Sequence, residues 1–105
     1  MGRTSKRRGR TNEQAVARIL GATRNFYKAE DLRHPILSIE CKHRTKIHKY
    51  FHDWIAQSQA AAAKDKLPIV VVHEHGTFHK DDIVIINLKD FAKFMQWVMD
   101  GEENL

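Results

Sequence analysis

The chain has 105 residues and a formal charge of +5, from 18 Lys+Arg against 13 Asp+Glu. That length fits a single domain, in which folding buries roughly two-thirds of the extended-chain surface. No apolar run approaches the roughly 20 residues of a membrane-spanning helix, the opening MGRTSKRRGR lacks the apolar stretch of a signal peptide, and the lone Cys41 excludes an internal disulfide and suits a reducing cytoplasm.

Residues 1–10 carry Arg3, Lys6, Arg7, Arg8 and Arg10 with no acid, and the rest of the chain holds 13 residues of each sign. The segment reads as a flexible basic arm ahead of a single domain over 11–105. TNEQAVARILG then predicts a helix, with Thr11 as N-cap, Gln14 completing a capping box and Gly21 as the stop. Its apolar stripe is Ala15, Val16, Ile19 and Leu20, with Glu13 at the stripe's edge. A short strand is expected around Arg24–Lys28, followed by a turn.

From Pro35 the sequence alternates over 35–42: Leu37, Ile39 and Cys41 on an apolar face, Ile36, Ser38, Glu40 and Lys42 on the other. A long helix follows, about Ile47 to Lys64, with Ile47, Tyr50, Phe51, Trp54, Ile55, Ser58 and Ala61 along one face. LPIVVVHE and DDIVIINL predict two strands joined by a loop around Gly76, and KDFAKFMQWVMDG a closing helix with Phe91, Phe94, Met95 and Val98 inward. Helices and strands in this order predict an α/β protein with a mixed β-sheet flanked by helices.

The charge is polarised. From Arg18 to Lys49 there are eight basic residues and three acids, whereas beyond Lys49 acids dominate. A polyanion such as nucleic acid would therefore meet the first half of the chain, where Arg24, His43, Arg44, Lys46 and Lys49 join the arm. Within that half, Glu40 and Lys42 share one strand face, and Asp31 precedes the strand. A carboxylate and an ammonium on one face commonly form a solvated ion pair. Two converging carboxylates instead call for a cation between them, and oxygen ligands suit Mg²⁺. Such an ion activates a water and stabilises charge on a phosphate oxygen, with Lys42 balancing the developing negative charge.

The run DL…PILSIECKHR resembles the Asp–(variable)–Glu-x-Lys motif of the PD-(D/E)xK nuclease superfamily. In the order of NEQAVARILG, DL, IECKHR, WIAQ and PIVVVHE, most of residues 3–88 looks like the small phage and archaeal Holliday junction resolvases. The resemblance implies a restriction-endonuclease-like core, with Asp31 and Glu40 as metal ligands, Lys42 as catalytic lysine and Glu13 as the additional acid. Gln57 matches the glutamine on the following helix, with Gln59 a rival. Glu30 stands in place of the motif's proline, which is often missing in the superfamily, and is an alternative ligand. The implied activity is phosphodiester hydrolysis with one or two Mg²⁺ or Mn²⁺ ions, by a homodimer acting on a four-way DNA junction. The implied setting is the cytoplasm of a bacterial, archaeal or phage-infected host cell. A general or nicking nuclease of the same fold, or a non-catalytic DNA-binding protein, are the alternatives.

Other residues invite attention. His73, Glu74 and His75 with His79 suggest zinc, but without cysteine or a closed ligand set the expectation is solvent-facing histidines. His43 and Arg44 are expected at phosphate. Trp54 and Trp97 are expected in core or dimer packing. Cys41, turned to the apolar layer, is a poor nucleophile.

Overall fold

The computed structural model describes the backbone of residues 2–25 and 31–103 and the side chains of residues 9–25 and 31–101. Among the described residues the protein is a small mixed α/β structure with three α-helices and two two-stranded antiparallel sheets. The elements are α1 (Gly2–Leu20), β1 (Thr23–Arg24), β2 (Leu32–Arg33), α2 (Lys49–Ala61), β3 (Val70–Val72), β4 (Ile83–Ile85) and α3 (Leu88–Glu103), with a 3₁₀ turn at His79–Asp81. Two separate sheets stand in place of the one mixed sheet expected. The chain divides into two compact units, Met1–Thr45 and Lys46–Leu105.

In the first unit, helix α1 begins at Gly2 rather than Thr11, so helical backbone runs through the segment expected to be a loose arm. Arg and Lys are good helix formers, and the five of them at Arg3, Lys6, Arg7, Arg8 and Arg10 outweigh Thr4, Ser5 and Gly9. The C-terminus falls where expected. Gly21 takes φ +67°, and the Ala22 N–H donates to the Ala17 carbonyl at 2.8 Å, the six-to-one bond of a Schellman motif. Of the expected stripe, Ala15, Val16 and Leu20 are half-buried, and Ile19 is 51% exposed. Ala17 is the buried residue of the helix, and Glu13 is half-buried beside it. The small Ala17 lets β1 approach, and Arg24 on β1 takes hold of Glu13.

Strands β1 and β2 pair with Thr23 opposite Arg33 and Arg24 opposite Leu32. The expected strand at Arg24–Lys28 ends at Arg24 in the described residues, and positions 26–30, Glu30 included, lie outside them. The expected strand over 35–42 is reduced to one bridge between Leu32 and Ile39. Side chains have taken its donors. The His34 Nδ1 accepts both the Ile36 and the Leu37 N–H at 3.2 Å, building a turn where the strand was to start. At the other end, the Cys41 N–H goes to the Asp31 carboxylate. The alternation nevertheless persists: Leu37, Ile39 and Cys41 are half-buried, and Ile36, Ser38, Glu40 and Lys42 are exposed. Leu32, fully enclosed, anchors the unit.

In the second unit, α2 starts after His48, whose Nδ1 accepts the Tyr50 N–H at 3.3 Å. It stops at Ala61, short of the expected Lys64, where Ala62 turns extended. The chain must be extended before Pro68, and a turn closed by the Lys66 N–H and the Ala63 carbonyl reverses it first. Phe51, Trp54, Ile55 and Ser58 of the expected face are half-buried, whereas Ile47, Tyr50 and Ala61 are exposed, and α2 packs on β3. Tyr50 and Trp54 stack along the helix with centroids 4.7 Å apart. Strands β3 and β4 pair Val70 with Ile85, Val71 with Val84 and Val72 with Ile83. In the joining loop, Gly76 takes φ +88°. On α3 the Asn87 side chain caps the Lys89 N–H at 2.9 Å, and Met95 is buried. Phe94 is 39% and Trp97 71% exposed, so the inward face is Phe91, Ala92, Met95, Val98 and Met99, and Trp97 is not a core residue. No described helix is long and apolar enough to cross a membrane.

Candidate functional site

Of the acids singled out in the sequence, Asp31 bonds the Cys41 backbone, and the charges of Glu13 and Glu40 reach the Cys41 thiol. A β-bulge prepares this: the Asp31 and Leu32 N–H groups both donate to the Ile39 carbonyl, at 3.0 and 3.3 Å, so two residues oppose one. The bulge re-aims Asp31, and its Oδ2 accepts the Cys41 N–H at 2.5 Å, a charge-assisted bond. Asp31 is thereby tied to the residue between Glu40 and Lys42. Glu13, projecting from α1, is held by an ion pair between its Oε2 and the Arg24 Nε at 3.0 Å. Both of these side chains are only about a quarter exposed, 23% for Glu13 and 28% for Arg24.

The Cys41 thiol registers the company. Burial pushes its pKa up, and the negative charges of Asp31, Glu13 and Glu40 add to the effect. A thiol raised in this way is a weak nucleophile, in agreement with the sequence. Glu40 and Lys42 lie on the exposed face, their Oε1 and Nζ 3.3 Å apart. The expected alternation therefore puts both charges on one open side. The three acids do not form a ready-made ion cage: among the described residues, the one set of three ligand atoms within 4.8 Å of each other lies elsewhere.

The remaining expected site residues are distributed as follows. Arg3, Lys6, Arg7 and Arg8 lie on α1 outside the described side chains, and Arg10 is exposed on the same helix. Arg24 is engaged by Glu13 and is not a freely solvated cation. His43 and Arg44 are exposed in the segment after Cys41. Gln57 lies on α2 in the second unit, where it lines a groove of about 600 Å³ with Trp54, Ser58 and Val71. Its rival Gln59 donates from Nε2 to the Asp90 carboxylate on α3 at 2.9 Å.

The set of three that does converge is His73, His79 and Asp82, on the loop between β3 and β4. The His73 Nδ1 lies 2.6 Å from Asp82 Oδ1, and the His79 Nδ1 lies 3.2 Å from Oδ2. The two rings stack with centroids 4.0 Å apart. The hydrogen bond from His73 holds the Asp82 carboxyl below its ordinary value, burial opposes this, and the bond from His79 adds to the lowering. An ionised carboxylate only accepts, so each ring presents an Nδ1–H to it. The sequence singled out His73 and His79 but also Glu74 and His75, and missed Asp82. The signal for Asp82 was its placement one rung beyond the Val72–Ile83 pair, directly across from His73. Comparison with known protein families, with curated proteins and with solved structures found no match.

Proposed function

We propose that the chain is a metal-dependent DNA endonuclease of the PD-(D/E)xK kind that acts as a homodimer on four-way junctions. The acid-bearing unit of α1, β1, β2 and residues 36–42 is read as the site-forming part of a restriction-endonuclease-like core. What supports the reading is the hydrogen bond from the Cys41 N–H to the Asp31 carboxylate, which links the upstream acid to the Glu-x-Lys segment.

The donor set suits Mg²⁺ or Mn²⁺. Mg²⁺ keeps several waters and needs only one or two carboxylates, so a cage of three is not required. Asp31 and Glu40 would hold the ion, with Glu13 behind them. Each engages a neighbour through one carboxylate oxygen, Asp31 with Cys41, Glu40 with Lys42 and Glu13 with Arg24, and has a second oxygen to offer. When bound, the ion supplies an activated water and neutralises charge on a phosphate oxygen. Lys42 is 80% exposed and its pairing with Glu40 is screened by solvent, so the ammonium is readily transferred to a scissile phosphate. Arg10, His43 and Arg44 offer exposed positive or polar groups to the backbone on either side.

The test is cleavage of labelled four-way junction, flap and plain duplex in Mg²⁺ and in Mn²⁺, with Glu40→Gln and Lys42→Ala alongside. Paired symmetric nicks in the junction, abolished in both variants, are expected. Equal cutting of all three substrates would make it a general nuclease of the same fold. Junction binding without cutting in either metal would overturn the enzyme reading in favour of a binding protein.

A further inference from the structure

We propose that His73, His79 and Asp82 form a second metal site, specific for a borderline transition ion such as Zn²⁺, that clasps the β3–β4 loop. It is independent of the acids in the first unit and of any nuclease activity.

The fold delivers the three ligands by separate local rules. The β3–β4 ladder ends at Val72 and Ile83, so the next rung sets His73 across from Asp82. The 3₁₀ turn at His79–Asp81 then folds the incoming chain back, with the Asp82 N–H donating to the His79 carbonyl at 3.0 Å. His79 thus stands one turn before Asp82, on the same side as His73. On the far side of the loop, the Thr77 N–H and Oγ1 both bond to the Glu74 carbonyl, closing a turn around Gly76. That turn diverts Glu74 and His75 from the cluster, and neither belongs to it.

The three ligand atoms are already gathered, and an ion would spread the closest pair. Zinc sits about 2.0–2.2 Å from nitrogen and oxygen ligands, so its ligand atoms lie roughly 3.3–3.6 Å from each other in a tetrahedron. The His73–Asp82 and His79–Asp82 separations are 2.6 and 3.2 Å, and all three ligand atoms fall within 4.8 Å. An ion entering there takes the Nδ1 lone pair of each ring: in a neutral ring the proton now on Nδ1 leaves and one is taken up at Nε2, so the ring stays neutral and no net proton is released. Two N–H···O bridges are exchanged for two N–metal bonds and one O–metal bond.

The donor types select the ion. Two imidazoles with one carboxylate suit Zn²⁺, Ni²⁺, Cu²⁺ or Fe²⁺, whereas Mg²⁺ and Ca²⁺ prefer all-oxygen sets. Three protein ligands leave at least one position for water. The Asp82 side chain is 11% exposed, His73 35% and His79 82%, so the site is rooted at the carboxylate and open at His79.

The experiment uses the full chain without a histidine tag, stripped of metal with chelator, and titrated with Zn²⁺ against a chromophoric chelator. Variants are His73→Ala, His79→Ala and Asp82→Asn, with His75→Ala as the neighbouring control. One Zn²⁺ per chain is expected, with affinity lowered about tenfold or more by each of the three variants and unaltered in His75→Ala or by excess Mg²⁺. Zinc should also raise the thermal midpoint of the wild type and not of His79→Ala. His79 is largely in solvent, so its replacement leaves the hairpin folded and the comparison fair. ¹⁵N spectra of the imidazoles should assign the ligating nitrogen of both rings as Nδ1. Absence of stoichiometric binding, binding unaffected by His73→Ala and His79→Ala, or equal loss in His75→Ala would each overturn the site and leave a hydrogen-bonded loop clasp only.

Discussion

Replacing Asp31 by alanine removes the acceptor that holds the Cys41 N–H at 2.5 Å. A hydrogen bond to a charged group is worth about 1.5–3 kcal/mol. This one is only part-buried, so water relieves some of the loss, and about 1–2 kcal/mol is expected. The bulge itself survives, because its two bonds to the Ile39 carbonyl come from backbone N–H groups. Asp31→Asn keeps a carbonyl oxygen for the Cys41 amide and should lose only about half as much. Amide hydrogen exchange reads the affected group directly: protection of the Cys41 N–H should fall about tenfold in Asp31→Ala, following from 1.4 kcal/mol per decade, and less in Asp31→Asn. DNA cleavage in Mg²⁺ should disappear in both, because an amide does not replace an ionised ligand. Unchanged exchange in Asp31→Ala would refute the hydrogen bond. Near wild-type cleavage by Asp31→Asn, with its circular dichroism intact, would refute the metal-ligand role.

Leu32→Ala should destabilise the first unit by about 3 kcal/mol, since Leu32 is fully enclosed; urea unfolding followed by circular dichroism checks this, and a loss below about 1 kcal/mol would contradict the burial. The raised Cys41 pKa means less thiolate at a given pH, so alkylation at pH 8 should be slower than for a free cysteine thiol. Asp31→Asn, which deletes one of the charges responsible, should speed it, and an unaltered rate would separate Cys41 from the acids. Deleting residues 1–9 removes Arg3, Lys6, Arg7 and Arg8. DNA affinity should fall and its dependence on log salt should flatten by about 0.9 for each duplex phosphate no longer neutralised, while an unaltered slope would exclude the segment from the interface.

Local chemistry was readable where a single residue type decides the outcome. Gly21 ended its helix because a positive φ is cheap only there, and the spacing of Phe51, Trp54, Ile55 and Ser58 fixed the inner face of α2. The alternation from Ile36 to Lys42 survived in burial even though the strand did not. What the pattern did not reveal was competition for backbone donors. His34 captured two amides and Asp31 a third, and nothing in the spacing of apolar residues encodes that. On α1 the stripe held at Ala15, Val16 and Leu20 but missed that Ala17, not Ile19, is the buried residue, and nothing in the apolar spacing encodes the ion pair from Glu13 to Arg24, eleven residues away. Asp82 was missed because its partner lies across a hairpin, and cross-strand register is set by the loop rather than by the residue's neighbours.

The carbonyl of Ile39, shared by two amides, makes this hairpin sensitive to parity. If the pairing at Ile39 slipped by a single residue, every later side chain would shift by half a pleat period. Cys41 would then point outward and the Glu40–Lys42 pair inward. The shared carbonyl at Ile39 thus decides which side of the segment carries its two charges.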